Sequence, residues 1–262
     1  MKCMKLTPLF VAAFWGIFVL TIFTACGNKA PKEAAAQSSD NQHNTLTAAE
    51  KQEGWILLFD GTTLNGWRNF NKQTIGSSWK VEDGTLLLDA QKDPNGHWQS
   101  ADGGDITAGG VFADFELRLD WKIDTCGNSG IIYRAVEAEK YNSPWQTGPE
   151  MQILDNKCHA DANIEKHRAG DFYDVVACSQ ETVKPALEWN EARVVAKGNH
   201  IEHWLNGVKV VEVEMGTAAW KQLLAASKWK DHPDFSLSPQ GLVVLQDHGN
   251  RVWFRNIKIK KL

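Results

Sequence analysis

Apolar and polar residues alternate with a period of two in several short stretches of the chain. The clearest runs cover residues 112–123 and 188–196, and this period predicts strands with one buried and one solvated face. Two further pairs of runs turn at Asp83-Gly84 and at Asn206-Gly207. Such dipeptides are typical of tight turns between antiparallel strands, so both stretches are predicted to be β-hairpins.

Residues 218–230 have the pattern of a helix, which Pro233 ends. The last two apolar runs, 241–249 and 252–262, are predicted to pair as strands around a turn at Gly249-Asn250. Many short strands, hairpin turns and one short helix predict an all-β fold, a sandwich of two antiparallel sheets.

Residues 1–25 resemble a bacterial lipoprotein signal peptide. Two lysines precede an apolar run over residues 6–23, and small residues stand before Cys26, which carries the lipid after cleavage in such proteins. The alternative is a single transmembrane helix, because the run is long enough to span a bilayer. Residues 26–53 are polar and nearly free of large apolar side chains, which is typical of a flexible tether. The chain is therefore predicted to be a tethered envelope lipoprotein with a single domain over residues 54–262.

The charge pattern argues against one class of partner and favours one side of the membrane. The net charge is −4, and no basic run precedes the C-terminal lysines, which alternate with isoleucines as on the wet face of a strand. Nucleic acid is therefore not expected as a partner. No acidic run follows Cys26 to indicate export to the cell surface, which favours the periplasmic face of the outer membrane.

Three cysteines remain once Cys3 of the signal peptide and the acylated Cys26 are set aside, namely Cys126, Cys158 and Cys178. The predicted compartment permits disulfides. Cys158 and Cys178 each follow a strand-like run, and they are expected to pair if those two strands are neighbours. No Cys-x-x-Cys spacing indicates a zinc site.

The stretch 148–156 carries the strongest candidate chemistry. Read as a strand, it places Glu150 and Gln152 on one face and the apolar Met151 and Ile153 on the other. One interpretation is an edge strand whose polar face is solvated, and the other is a ligand site. Further residues on or beside predicted strands, together with an aromatic ring suited to the apolar face of a sugar, favour the second interpretation: Asn128, Arg134, Trp145, Gln246 and His248.

A series of short motifs gives a specific resemblance over residues 55–262. In chain order they are Gly127-Asn-Ser-Gly-Ile131, Pro149-Glu-Met-Gln-Ile-Leu-Asp155, Gly170-Asp-Phe-Tyr-Asp174, Glu188-Trp-Asn190, His203-Trp-Leu-Asn-Gly207, Leu245-Gln-Asp-His-Gly249 and Phe254-Arg-Asn-Ile257. In this order and spacing the chain resembles the 3-keto-disaccharide hydrolase family. The resemblance implies a concanavalin A-like jelly-roll sandwich in an envelope protein. It also implies cleavage of glycosides whose glucose ring a partner oxidoreductase has oxidised to a ketone at C3.

The reaction that the resemblance implies suits these residues. A C3 ketone acidifies the proton at C2, so a base forms an enolate, the bond from C1 to the leaving group breaks, and water then adds. Such a site needs a base, an electrophile for the enolate oxygen and a proton donor. Glu150 and His248 are the catalytic candidates, and both are candidate ligands if a divalent cation polarises the ketone, although no ligand spacing requires one. The expected contacts with the sugar come from Asn128, Arg134, Trp145, Gln152 and Gln246.

Other functions stay open beside this one. A non-catalytic carbohydrate-binding sandwich would use the same face to hold a glycan, and a structural or adhesion lipoprotein would have no convergent polar pocket. The Glu-x-Asp-x-x-Glu strand of ordinary sandwich glucanases is absent, which disfavours a glycosidase with two catalytic carboxylates. Asp171 departs from the family pattern of a small or apolar residue after Gly170, and this puts a substrate contact by that loop in question.

Overall fold

The computed structural model describes residues 42–262, which contain two α-helices, fifteen strands and three single-turn 3₁₀ helices. In chain order the elements are α1 (Ala48–Gln52), β1 (Trp55–Leu57), β2 (Trp67–Asn69), β3 (Trp79–Glu82), β4 (Thr85–Leu88), β5 (Gln91–Lys92), β6 (Trp98–Gln99), β7 (Ile106–Ala108), β8 (Phe115–Ile123), β9 (Asn128–Ala135), a 3₁₀ helix (Pro144–Gln146), β10 (Glu150–Leu154), a 3₁₀ helix (Ala160–Asn163), β11 (Asn190–Lys197), β12 (His200–Leu205), β13 (Val208–Glu214), α2 (Ala218–Ala225), a 3₁₀ helix (Lys228–Asp231), β14 (Leu242–Leu245) and β15 (Val252–Lys261).

The strands form two main antiparallel sheets. The larger has the order β13-β12-β11-β8-β15-β4-β3, with β1 paired to β15, and the smaller has the order β10-β9-β14-β7-β2. Apolar side chains that alternate along β8, β11 and β15 bury one face of the larger sheet against the inner face of the smaller one. This arrangement confirms the predicted concanavalin A-like jelly-roll sandwich.

Both predicted hairpins are present. β3 and β4 turn at Asp83-Gly84, and β12 and β13 turn at Asn206-Gly207. All four turn residues have positive φ angles, as a two-residue hairpin turn requires. The predicted helix is shorter than expected, because α2 ends at Ala225 and residues 228–231 form a separate 3₁₀ turn.

The predicted pairing of the last two strands is wrong. β14 lies between β9 and β7 in the smaller sheet, whereas β15 lies between β8 and β4 in the larger sheet. The turn at Gly249-Asn250 therefore carries the chain from one sheet to the other. Two apolar runs around a turn have the pattern of a hairpin whether or not the strands pair, so their partners depend on the rest of the fold.

Ordered structure begins before residue 54, so the predicted tether is too long at its C-terminal end. Asn44 is buried, its side-chain amide donates to the Gly84 carbonyl oxygen (2.7 Å), and its backbone N–H donates to Asn256 Oδ1 (2.7 Å). Thr47 and Glu50 form a reciprocal capping box at the start of α1. These polar contacts hold a stretch that has few apolar residues, and composition alone does not reveal them.

The predicted signal peptide, the lipid attachment at Cys26 and residues 26–41 of the predicted tether lie outside the described residues. Among residues 42–262, none of the helices has both the length and the apolar character needed to cross a membrane.

The disulfide joins Cys126 to Cys158, which corrects the expected pairing of Cys158 with Cys178. Strands β9 and β10 are antiparallel neighbours with Asn128 opposite Leu154, so the residues just beyond these paired ends lie close together. Within residues 42–262 the Cys178 thiol forms no disulfide, and it contacts the carbonyl oxygen of Ala169 (3.6 Å). The disulfide thus fastens the two strands that carry most of the predicted site.

Candidate active site

A pocket of about 300 Å³ opens on the outer face of the smaller sheet. It brings together six of the seven residues predicted from the sequence, namely Asn128, Trp145, Glu150, Gln152, Gln246 and His248. Four further residues, not predicted, complete its lining: Tyr173, Lys228, Trp229 and His232. Polar groups therefore converge in one concave site, as expected for a ligand pocket.

The pairing of β9 with β10 places the polar side chains on this face. Gln152 lies opposite Gly130 and Glu150 opposite Ile132, while Met151 and Ile153 of β10 point into the core between the sheets. Gln152 Nε2 donates to Asn128 Oδ1 (3.2 Å), which fixes both amides side by side. The period of two along β10 therefore places the carboxylate and the amide on the pocket side, as predicted from the sequence.

Gly130 makes room for the carboxylate of Glu150. A Cβ atom built at Gly130 would lie 2.0 Å from Glu150 Oε1 and 2.7 Å from Cδ, and no torsion angle of this glycine requires a special conformation. The glycine is therefore required by space rather than by backbone conformation, because only a residue without a side chain lets the carboxylate lie across β9.

Glu150 is the carboxylic acid in the lining of this pocket, and its pKa lies well above the usual range. It is 3% exposed, and no group of residues 42–262 forms a hydrogen bond with its carboxylate. Burial raises its pKa to about 8, since desolvation disfavours the charged form; the nearby Lys228 opposes this shift and Asp105 adds to it. A buried carboxylate without a partner is costly to maintain, which is typical of functional sites.

His248 and Gln246 enter the pocket from the connection that follows β14, not from the strand itself, which ends at Leu245. Burial lowers the pKa of His248, and the neighbouring His159, whose ring centroid is 6.4 Å away, lowers it further. The backbone N–H of Gln246 donates to the Gly130 carbonyl oxygen (2.9 Å), while its side-chain Oε1 is buried without a partner within residues 42–262. That oxygen is an acceptor available to a ligand.

The segment after α2 supplies a cation that sequence analysis missed. Lys228 Nζ lies 4.0 Å from the ring centroid of Tyr173 and 4.6 Å from that of Trp229. Trp229 Nε1 donates to the Tyr173 carbonyl oxygen (3.0 Å), which joins the two aromatic residues. Lys228 is exposed as a whole residue, but partial desolvation of its ammonium group lowers its pKa, against the attraction of nearby carboxylates. Tyr173 belongs to one of the motifs behind the resemblance, but no motif contains Lys228 or Trp229.

Aromatic rings form one wall of the pocket. Trp145 is 36% exposed, and its ring centroid lies 6.1 Å from that of Trp229 and 5.7 Å from that of His232. A partly exposed indole beside polar groups suits the C–H face of a sugar ring.

Comparison with known proteins identifies the family. The model of the 3-keto-alpha-glucoside-1,2-lyase-like domain matches residues 54–260. The chain belongs to this family. This confirms the predicted family and enzyme class, a hydrolase that cleaves glycosides.

Similar proteins are known from Bacteroides thetaiotaomicron and Parabacteroides distasonis. A 3-keto-disaccharide hydrolase of Bacteroides thetaiotaomicron is 32% identical, and the match covers 90% of this chain and 91% of that protein. A crystal structure of a candidate glycosyl hydrolase from Parabacteroides distasonis is 35% identical with a TM-score of 0.75, and the match covers 84% of this chain and all of that one. A second candidate glycosyl hydrolase from that organism is 28% identical with a TM-score of 0.58, over 79% of this chain and 99% of that one.

Asp171, the departure from the family pattern, has a structural role. Its carboxylate accepts hydrogen bonds from the backbone N–H groups of Arg168 (2.7 Å) and Cys178 (2.7 Å), and the residue is buried. It borders a separate cleft rather than the pocket around Glu150. The acid therefore closes a loop and does not face the pocket around Glu150.

Arg134 is the predicted sugar contact that the structure places elsewhere. Its side chain is 2% exposed and donates to the carbonyl oxygens of Ala113 (3.1 and 2.8 Å) and Gly198 (2.8 Å). The pairing of β9 with β14 shifts register near this residue, whose φ is +52°. Such a β-bulge redirects a side chain, so Arg134 joins β9 of the smaller sheet to strand ends of the larger sheet instead of facing the pocket.

Arg134→Met is expected to lower the free energy of unfolding by about 1–3 kcal/mol, because it removes three hydrogen bonds from a buried guanidinium to the carbonyl oxygens of Ala113 and Gly198. Turnover per folded molecule should stay within about twofold of wild type at a temperature where both are native, a change too small to count as a lost catalytic contact. Denaturant unfolding and initial rates on the same samples check both values. A loss of turnover without a loss of stability would instead indicate that Arg134 contributes to catalysis.

The expected metal ligands do not complete a ligand set. Within the part of the chain that the structure describes, two clusters bring three His, Cys, Asp or Glu donors within 4.8 Å of one another. One consists of the disulfide cysteines with Asp155, and the other lies on the β12–β13 hairpin around His200. Neither includes Glu150 or His248. A catalytic metal usually has three protein ligands, so these two residues alone do not fit such a site.

Proposed function

We propose that the chain hydrolyses glycosides whose glucose ring carries a ketone at C3, by removing the C2 proton, eliminating the group at C1 and adding water. The observation that carries this proposal is the Glu150 carboxylate, which is buried, faces the pocket and has no hydrogen-bond partner within residues 42–262. A carboxylate of raised pKa is a stronger base than an ordinary one, and a carbon acid beside a ketone needs such a base.

The proposed reaction has two stages. Glu150 takes the proton from C2, and the electron pair of that bond moves onto the C3 ketone to give an enolate. The enolate returns to the ketone as the bond from C1 to oxygen breaks, and the departing oxygen takes up the proton that Glu150 gained. Water then adds across the new double bond, with hydroxyl to C1 and hydrogen to C2, so that one water molecule is consumed for each bond cleaved.

His248 suits the second stage. Its lowered pKa keeps the imidazole neutral near pH 7, which is the form that accepts a proton from the water adding to C1. The amides of Asn128, Gln152 and Gln246 line the same pocket and pair with sugar hydroxyls, while Trp145 packs against a ring face.

The proposed setting is the bacterial envelope. The sequence of residues 1–26 supports a lipid anchor on Cys26, with the domain at the periplasmic face of the outer membrane. The substrate then comes from an oxidoreductase that oxidises C3 of a glucoside, because a sugar ketone at this position is a product of oxidation.

The test compares a 3-keto-glucoside with the same glucoside before oxidation, at equal concentration, with products followed by NMR. Release of 3-keto-glucose from the ketone only is the expected result, because the C2 proton of the unoxidised sugar is not acidic enough for this route. Equal cleavage of both sugars would contradict the enolate route. Accumulation of the C1–C2 unsaturated ketone would show a lyase that lacks the hydration stage, and binding without any cleavage would indicate a carbohydrate-binding protein.

A further inference from the structure

The proposed reaction requires an electrophile for the oxygen on C3, where negative charge develops as the C2 proton leaves. Arg134, a cation predicted as a sugar contact, lies outside the pocket, and Glu150 and His248 do not complete a three-ligand metal site. Lys228 is the cation that the fold places among the pocket residues.

The surroundings of Lys228 keep its charge available. Its Nζ lies over the faces of Tyr173 and Trp229, which attract a cation through their π electrons. Within residues 42–262 it forms no ion pair at 4.0 Å or less, although the carboxylates of Glu150, Asp161 and Asp174 are near enough to favour the ammonium form. An ammonium group that no carboxylate neutralises can interact with a new negative charge.

The backbone around Lys228 is also held in place. Its N–H donates to Asp174 Oδ2 (2.5 Å), and Asp174 Oδ1 is hydrogen-bonded to His167 Nε2 (2.8 Å). Ser227 caps the 3₁₀ turn in which Lys228 lies. These contacts fix the backbone from which the side chain extends, and the two aromatic rings position its ammonium group. A donor that is already positioned needs less reorganisation as negative charge develops.

We propose that the Lys228 ammonium group binds the C3 oxygen and stabilises the enolate, which makes it a further catalytic residue of the reaction proposed above, on which this inference rests. Glu150 and Lys228 would then act on adjacent carbons, Glu150 on the C2 proton and Lys228 on the C3 oxygen. The ammonium keeps its protons and forms no covalent bond, so no atom beyond those already described is transferred.

The test compares Lys228→Met with Lys228→Arg and with Lys230→Met, an exposed lysine of the same 3₁₀ turn. Lys228→Met is expected to lower kcat by about 10²–10³-fold, the usual effect of removing one oxyanion donor, with a smaller change in KM. Lys228→Arg, which keeps a cation, should recover part of the rate, and Lys230→Met should match wild type. Should Lys228→Met not fold, Lys228→Gln replaces it.

Two further measurements separate a catalytic role from a structural one. With a substrate deuterated at C2, Lys228→Met should show a larger kinetic isotope effect than wild type, because proton removal becomes more limiting without the electrophile. Its melting temperature should stay close to that of wild type.

Borohydride treatment during turnover should leave no sugar attached to Lys228. A trapped adduct would overturn the inference by showing an imine mechanism. Wild-type rates with Lys228→Met would also overturn it, while leaving the proposed function intact. A wild-type enzyme that cannot cleave 3-keto-glucosides would instead refute the proposed function itself.

Discussion

Glu150→Gln is expected to lower kcat on a 3-keto-glucoside by about 10²–10⁴-fold, the usual contribution of a positioned general base, with a small change in substrate affinity. The amide keeps the length and shape of the side chain and can occupy the same space over Gly130. It cannot accept a proton from carbon. Initial rates of 3-keto-glucose release measure the loss of kcat. Calorimetric binding of the substrate to the inactive variant measures the affinity.

The matched control is Glu191→Gln, which makes the same chemical change at an exposed position of β11 in the other sheet. It should retain the wild-type rate. If Glu150→Gln also retained most of its activity, the C2 base would have to be another residue of the pocket, and His248 would be the first alternative to examine.

The pH dependence of kcat/KM tests the role of Glu150 independently. Since burial raises the pKa of Glu150 to about 8 and the base acts only when ionised, kcat/KM of the wild type should rise with pH and level off above about pH 8. The residual activity of Glu150→Gln should lack this rise. A wild-type rate that falls above pH 8 would instead assign Glu150 the role of proton donor.

Glu150→Gln should also be more stable than wild type in alkali. The pKa of Glu150 is raised from 4.5 to about 8 in the native state, so the native protein holds this proton more tightly than the unfolded chain does. The free energy of unfolding therefore falls as the pH rises from 4.5 to 8, by about 1.4 kcal/mol for each unit of pKa difference. The variant lacks this loss, so thermal unfolding at pH 4 and pH 9 should show its advantage only at pH 9.

The strand of Glu150 was predictable because its signal is local. A period of two places Glu150 and Gln152 together whatever the strand pairs with, and apolar Met151 and Ile153 indicate which face enters the core. The two hairpins with Asp-Gly and Asn-Gly turns are predictable for the same reason, because turn chemistry and flanking residues suffice. The motifs contain four other residues of the pocket lining, namely Asn128, Tyr173, Gln246 and His248.

Features that depend on distant parts of the chain were not predictable. Alternation along β9 would place Arg134 on the same face as Ile132, but a bulge opposite β14 turns it away. Lys228 lies in an irregular segment after α2, where no periodicity indicates which way a side chain points. The pairing of Cys126 with Cys158 likewise follows from the register of β9 with β10, and a register of this kind is set by the whole sheet.

Gly130→Ala is expected to lower kcat by about 10²-fold, the cost of misplacing a catalytic group by about 1 Å, while the fold remains intact. The new methyl group would lie 2.0 Å from Glu150 Oε1, so the carboxylate has to leave its position. Glu150 Cγ would also lie only 2.9 Å from this methyl group, so the buried side chain of Glu150 has to move from its Cβ atom outward. The gain of about 0.4–1 kcal/mol that alanine gives at a compatible site is not expected here, because the methyl group displaces a buried side chain.

A loss of kcat with an intact fold would show that Gly130 is required for the position of Glu150 rather than for folding. Gly109→Ala is the matched control, because a Cβ there meets only the carbonyl oxygen of Gly66 at 3.7 Å, an ordinary contact, and Gly109 lies away from the pocket around Glu150. It should keep both activity and stability. In Gly130→Ala the displaced carboxylate becomes better solvated, so the pKa seen in the rate profile should fall below 8. Full activity with an unchanged profile would show that Glu150 does not act from its position over Gly130.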